Sequence, residues 1–214
     1  PALFDPLHSE PPKVSNEALK DDGATLLSSF ISGYRQITCN FPIRNLSDMK
    51  GAKIRVVPSD LYQQLFTAFG AAASPLAFSE VPTALITYVI DGQENPYSVI
   101  VSSALYEVQK YCMETNHLPT NHGLWMNRNT YESLTPEQQE AVLKAAYDAS
   151  AYMDKYILDK VEEYKKICED NGMEIIDAEN GLDIDGFKAA AENVYDYFAE
   201  DWGDMPDLIR AVQP

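Results

Sequence analysis

The chain has 214 residues, 45% hydrophobic and 23% charged, which is the composition of a globular protein and not of a disordered one. A formal net charge of −17 repels phosphate backbones and anionic membrane surfaces, and no apolar run approaches the roughly 18 residues that a membrane-spanning helix needs. The length admits one large domain or two small ones.

The charge is unevenly spread. From Tyr131 onward 21 acidic residues stand against 7 basic ones, whereas the first 130 residues hold 12 and 9. The arginines of that first part, Arg35, Arg44, Arg55 and Arg128, therefore stand out. Cys39, Cys112 and Cys168 are far apart in sequence and far from His8, His117 and His122, so neither a metal motif nor a disulfide framework is implied. No catalytic signature of the G-x-S-x-G, His-Glu-x-x-His, G-x-G-x-x-G or P-loop type occurs, and no catalytic residue, metal or cofactor is assigned. The sequence opens at Pro1 without Met, so the absence of a signal peptide in it leaves a removed leader open.

In chain order, residues Pro1 to Gly23 read as a connector with a short helix over Ser15 to Lys20. Ala24 to Cys39 reads as two strands or one bent strand around Gly33. Leu46 to Gly51 is a helical turn with Asn45 or Ser47 as cap, and Lys53 to Val57 is a β-branched strand stopped by Pro58. Asp60 to Phe69 is an amphipathic helix ended by Gly70, and Pro75 to Phe78 is extended. In Phe78 to Pro96, Ser79 is placed to cap a helix whose apolar face holds Val81, Ala84, Leu85, Tyr88 and Val89, with Pro82 in its first turn. Asp91-Gly92 stops that helix, and Gln93-Glu94-Asn95-Pro96 reads as a polar loop, either a turn or a contact surface. Ser98 to Leu105 is a helix or turn, and Glu107 to Thr115 and His122 to Met126 are strands. Thr135-Pro136-Glu137-Gln138 is a capping box opening a helix of about 35 residues that ends at Asn171-Gly172. At 1.5 Å per residue it spans roughly 50 Å, long enough to lie along two lobes. A strand over Met173 to Ile176 and an acidic helix over Asp185 to Phe198 follow. Alternation of short strands with helices predicts α/β architecture with parallel or mixed sheets.

Four side chains are candidate contacts. Arg55, in the middle of an Ile-Arg-Val-Val strand, needs either a wet strand face or a partner such as a ligand carboxylate, which its planar fork can hold by two charge-assisted bonds. Arg35, on a more polar strand, carries a weaker form of the same argument. Asn95 offers a donor and an acceptor to a ligand or belongs to an Asn-Pro turn. Phe78 stacks on a ligand or staples the helix it precedes. His117 is a base or a structural histidine, and Trp125 reads as core.

Several of these stretches, in order, resemble one family. Tyr34-Arg35-Gln36-Ile37-Thr38, the run from Asp48 to Val56, Phe78-Ser79-Glu80-Val81, the run from Asp91 to Pro96 and that from Tyr106 to Tyr111 look like the solute-binding proteins of tripartite ATP-independent periplasmic (TRAP) transporters, of the C4-dicarboxylate-binding type. The resemblance implies an α/β, two-lobed venus-flytrap fold with the long helix crossing both lobes. Lobe I would hold residues 1–32 and 121–158, and lobe II residues 33–120 and 159–214. It also implies that lobe I is incomplete at its N-terminus, because family members carry further residues ahead of the equivalent of Pro1. The implied function is capture of a small organic acid and its delivery to the membrane permease subunits of a TRAP transporter, outside the cytoplasm, without enzyme activity, nucleic acid or direct membrane insertion. By motif, Arg55 would pair with the carboxylate, Arg35 would add a polar contact, and Asn95 and Phe78 would line the cleft. Pro82, Tyr88 and Phe41 depart from the family's usual residues. An extracytoplasmic sensing or partner-binding module of the same fold is the alternative.

Overall fold

The computed structural model of the chain describes residues 16, 17, 19 and 21–207, so most of the helix expected over Ser15 to Lys20 lies outside the described residues. A seven-stranded mixed sheet organises the described chain. Its strands are β1 (Ala24–Cys39), β2 (Lys53–Val56), β3 (Ala72–Pro75), β4 (Gly92–Pro96), β5 (Tyr111–Met113), β6 (Pro119–Asn127) and β7 (Glu174–Ile176). They run in the order β3-β2-β4-β1-β5-β7, with β6 also paired to β1. β1 is antiparallel to β4 and β5, while β2 is parallel to β3 and β4, and β5 to β7. The stretch read as two strands or one bent strand is a single β1 that passes Gly33 at φ 117°, a value few residues with a Cβ adopt.

Local signals hold in most helices. α1 (Leu46–Met49) is capped by Asn45, whose side chain accepts from the Ser47 and Asp48 N–H groups. α2 covers Asp60–Ala68, α3 Val81–Ile86, α4 Tyr97–Ser102 and α5 Arg128–Glu132. α6 runs over 35 residues, Pro136–Asp170, and opens on the expected reciprocal pair: Thr135 N–H donates to Gln138 Oε1 at 2.9 Å and Gln138 N–H to Thr135 Oγ1 at 3.4 Å. Gly172, at φ 88°, stops it. α7 (Ile184–Tyr197) and α8 (Ala199–Trp202) complete the helices named here.

The Phe78 to Pro96 region differs from expectation. Ser79 caps nothing: it sits inside a 3-10 turn, Phe78–Glu80, that feeds α3 directly. α3 ends at Ile86, five residues before Asp91-Gly92, with Tyr88 in the left-handed region at φ 56° and the Val89 N–H donating back to the Ala84 carbonyl at 2.9 Å. The expected polar loop is β4, a fully buried strand at the centre of the sheet. Its polar side chains find partners inside the fold, which is the condition for burying them.

The chain divides into two compact units: residues 1–32, 121–159 and 200–214 form the first, and 33–120 with 160–199 the second. In unit 2, one buried cluster joins Val81, Leu85, Ile90, Tyr97, Ile100, Cys112, Cys168 and Met173. Elsewhere in the same unit the rings of Phe66 and Phe69 lie 5.5 Å apart, and those of Phe69 and Phe187 5.0 Å. The three cysteines are buried free thiols, and burial pushes Cys39 and Cys168 each up to about 11, so neither is a ready thiolate. In unit 1, Ser28 Oγ donates to the Ala146 carbonyl at 2.9 Å and meets Ser150 Oγ at 2.8 Å, tying β1 to α6.

Gly92 is required where β4 begins. It stands opposite Cys39 on β1 and Ile54 on β2, and a Cβ there would strike the Thr38 carbonyl oxygen and come within 3.0 Å of Ile54 Cδ1 and 3.3 Å of the Cys39 Cα. Gly92→Ala should therefore destabilise the fold by about 1–3 kcal/mol, the usual cost of overpacking. An unchanged denaturation midpoint would show that the strand can shift to accept the methyl.

Candidate functional site

The strand register brings the predicted residues together in unit 2. Arg35 pairs with Pro96, Ile37 with Glu94 and Thr38 with Gln93, while β2 sets Arg55 beside Gln93. Side chains alternate along a strand, so Arg55, Gln93 and Thr38 share one sheet face. Both arginines are buried, Arg35 at 4% exposure and Arg55 at 3%. Burial alone does not distinguish them.

Their hydrogen bonds do. The Arg35 guanidinium grips Glu94 as a fork: Nε donates to Oε2 and Nη2 to Oε1 at 2.9 Å. Nη2 also donates to the Glu94 carbonyl at 2.9 Å and to Asn95 Oδ1 at 3.0 Å, and Nη1 donates to Thr120 Oγ1 at 3.0 Å. Glu94 is fully buried, so this is a desolvated ion pair whose members depend on one another. The Tyr62 ring closes over it, its centroid 5.2 Å from Arg35 Cζ.

Arg55 has one hydrogen bond, from Nε to the Leu76 carbonyl at 2.8 Å. Its four terminal N–H groups meet no acceptor among the described residues, although Phe78 lies alongside with its ring centroid 5.7 Å from Cζ. Burial pushes the Arg55 pKa down, with Glu94 opposing that shift and the Arg35 cation adding to it. A buried cation with unused donors is an unfinished site. Phe78 is itself 39% exposed, so it is not a core residue.

Asn95 links Arg35 to Gln93. Its Oδ1 accepts from Arg35, which fixes the orientation of the amide, and Nδ2 donates to Gln93 Oε1 at 2.5 Å, leaving a second N–H. The Asn-Pro turn considered for Asn95 is absent, since the residue lies within β4. Gln93 Nε2 donates to Thr38 Oγ1 at 2.9 Å, and Thr38 Oγ1 donates to Gln109 Oε1 at 3.0 Å. A continuous polar chain thus holds Asn95 from within the sheet.

His117 belongs to the Arg35 and Glu94 pair. Its Nε2 lies 3.4 Å from Glu94 Oε2 and its Nδ1 2.7 Å from Thr115 Oγ1, with the Phe66 ring 5.3 Å away. Desolvation pushes the ring's pKa below its ordinary value, and Glu94 pulls it part of the way back. The neutral ring donates from Nε2 to Glu94 and accepts at Nδ1 from Thr115, so its role is structural. With its folded pKa lowered, His117 stays unprotonated in the fold when the unfolded chain takes up a proton near pH 6.5, about the ordinary histidine value. Its contribution is present above that value and is lost as pH falls toward the folded pKa. Stability measured at pH 7 and at pH 5.5 should fall less in His117→Gln than in the parent protein; equal falls would remove His117 as the titrating group.

Glu94, Gln93 and Thr38 are site residues that sequence reasoning missed. The one signal was negative: a run of amides and a carboxylate leading straight into the apolar Tyr97 to Val101 segment, with no neighbouring charge to pair with Glu94. Among the described residues no group of histidines, cysteines and carboxylates could hold a metal ion.

Arg55 is thus a desolvated guanidinium with free donors, set on a mixed sheet. Residues 6–201 match the model for the bacterial extracellular solute-binding proteins, family 7 (DctP), and the chain belongs to that family. It is similar to the 2,3-diketo-L-gulonate-binding periplasmic protein YiaO of Escherichia coli, 32% identical over 197 residues that cover 91% of this chain and 59% of the relative. Among solved structures it is similar to the TRAP periplasmic solute binding protein of Chromohalobacter salexigens with bound D-glucuronate, at 30% identity and a TM-score of 0.87, covering 99% of this chain and 70% of that one. It is also similar to the Shewanella oneidensis protein with bound succinate, at 29% identity and a TM-score of 0.83, covering 98% and 70%. The α/β fold in two compact units agrees with the two-lobed architecture of this family. This chain nevertheless spans only 59% of the length of YiaO. No described helix is long and apolar enough to cross a membrane.

Proposed function

We propose that this chain is the greater part of an extracytoplasmic solute-binding protein that captures a small organic acid by its carboxylate and hands it to a TRAP-type membrane permease, without catalysing a reaction. The observation that carries the reading is Arg55: 3% exposed, positively charged, and with four terminal N–H groups unused. A ligand carboxylate would take two of them as a fork. Phe78 would cover the ligand's carbon face, Asn95 would donate its second amide N–H, and Arg35 would offer the Nη1 N–H that Thr120 does not take. Arg35, Arg55 and Glu94 together carry one net positive charge, which suits one carboxylate at this point. The site supplies donors and hardly any free acceptor, so it selects an anion over an amine or an amide.

The relatives support a carboxylate ligand, since 2,3-diketo-L-gulonate, D-glucuronate and succinate all carry that group. Calorimetric titration of these three acids into the protein and into Arg55→Lys tests the proposal. At least one should bind, and the lysine variant, which keeps the charge but loses the planar fork, should bind about tenfold or more weakly. Equal affinities would remove Arg55 as the anchor.

A further inference from the structure

A half-buried phenol stands beside the arginines of unit 2 with its hydroxyl unused. β2 leads through Pro58 into α2, so Tyr62, in the first turn of that helix, follows closely on the strand that carries Arg55. Tyr62 and Phe66 lie one turn apart and therefore share one face of α2. That face covers the buried ion pair: the Phe66 and His117 ring centroids are 5.3 Å apart, and the Tyr62 centroid is 5.2 Å from Arg35 Cζ.

The ring thus has a task within the fold, and the hydroxyl has none. Tyr62 Oη meets no hydrogen-bond partner among the described residues and remains open to solvent. Burial pushes the Tyr62 pKa up, opposed by Arg35 and Arg55 and aided by Glu94, so the phenol keeps its proton and lies within the field of all three charges. A phenol both donates and accepts, whereas the N–H groups left over on Arg55, Arg35 Nη1 and Asn95 Nδ2 only donate. The charges here suit one carboxylate. Arg35 is matched by Glu94, and desolvation holds the His117 pKa down, so Arg55 is the cation of this group without a counter-ion. A second carboxylate would meet Glu94 with no cation of its own, a cost that a neutral hydroxyl does not carry.

We propose that Tyr62 is a specificity-determining contact: its hydroxyl exchanges a hydrogen bond with a hydroxyl on the carbon chain of the ligand and so selects a hydroxylated monocarboxylic acid over a dicarboxylic one. This rests on the reading of Arg55 as the carboxylate anchor. β4 separates β1 from β2, which sets the strands of the two arginines two spacings, roughly 9.5 Å, apart. With the carboxylate at Arg55, the oxygen that meets Tyr62 beside Arg35 therefore sits on a carbon several bonds further along the chain. A hydroxyl in that place donates to or accepts from Tyr62 Oη and accepts from Arg35 Nη1 or Asn95 Nδ2. An acid without hydroxyls leaves these groups unpaired on binding, and that difference is what discriminates between ligands.

Calorimetric titration compares D-glucuronate, L-galactonate and 2,3-diketo-L-gulonate, each with one carboxylate and several hydroxyls, with the dicarboxylates succinate and adipate. The tightest binder should be one of the first three, at least about tenfold ahead of either dicarboxylate. Tyr62→Phe keeps the ring over Arg35 and removes only the hydroxyl, so it should weaken that acid about tenfold and leave the urea midpoint unchanged. Arg55→Leu should weaken the same acid far more. Three outcomes overturn this proposal and leave the Arg55 reading standing: a dicarboxylate that binds tightest, a Tyr62→Phe variant that binds as tightly as the parent while Arg55→Leu does not, or a lower midpoint in Tyr62→Phe, which would show the hydroxyl matched within the fold. Binding of none of these acids, or binding that Arg55→Leu leaves intact, overturns both.

Discussion

Replacing Arg35 by methionine should cost the fold about 3–5 kcal/mol, the range for removing one partner of a buried ion pair, read as a lower midpoint in urea at neutral pH. The size of the effect comes from what stays behind. Glu94 is fully buried and would lose the fork, keeping only His117 Nε2 at 3.4 Å. Desolvation still opposes protonation of that ring, so it replaces the cation poorly even though Arg35 no longer lowers its pKa. Asn95 Oδ1 would lose its donor too, and the amide that Gln93 now accepts from would be free to turn. A domain of this size has about 5–15 kcal/mol to lose, so the variant should stay measurable but close to the threshold. Replacing Glu94 by leucine in the same chain should restore part of the loss, because removing both charges leaves no buried ion unpaired, while Asn95 Oδ1 and His117 Nε2 still lack their partners. If the double variant is no more stable than Arg35→Met, the damage comes from lost packing and not from the stranded carboxylate.

This pair also shows where sequence reading stops. The long helix was legible because its start and stop are local: Thr135 and Gln138 are three residues apart and Gly172 directly follows its end. Arg55 was legible as a cation out of place in a β-branched strand. Glu94 was not, since its partner lies 59 residues away on β1, and the partner of Gln93 lies 55 away. Seen alone, three polar residues and a proline in a row have the composition of a solvated loop, and only a neighbouring strand carrying Arg35 and Thr38 turns them into the centre of a sheet. Ser79 was misjudged for the opposite reason. A cap was expected from the residue type, but the chain enters α3 through a 3-10 turn that needs none. Resemblance of motifs names Asn95 as a candidate contact, though not the strand that holds it.

Arg55→Leu should have the reverse signature of Arg35→Met. Binding of the responsive acid should fall at least about a hundredfold, since two charge-assisted bonds of roughly 1.5–3 kcal/mol each disappear together. Stability without ligand should not fall and should rise by up to about 2 kcal/mol, because a desolvated cation whose single hydrogen bond goes to the Leu76 carbonyl is replaced by an apolar side chain that suits the same burial. The lost bond to Leu76 offsets part of this gain, which keeps the expected rise modest. Thermal or urea unfolding of the two variants side by side, in the absence of acid, separates the roles of arginines that are equally buried and lie on adjoining parts of one sheet. Arg35 holds the fold because its charge is matched within it. On the proposed reading, Arg55 weakens the fold because its charge has no match within it, and its unused donors would receive the ligand. A loss of stability in Arg55→Leu comparable to that in Arg35→Met would mean that Arg55 is matched within the protein after all, and the anion site would have to be sought elsewhere.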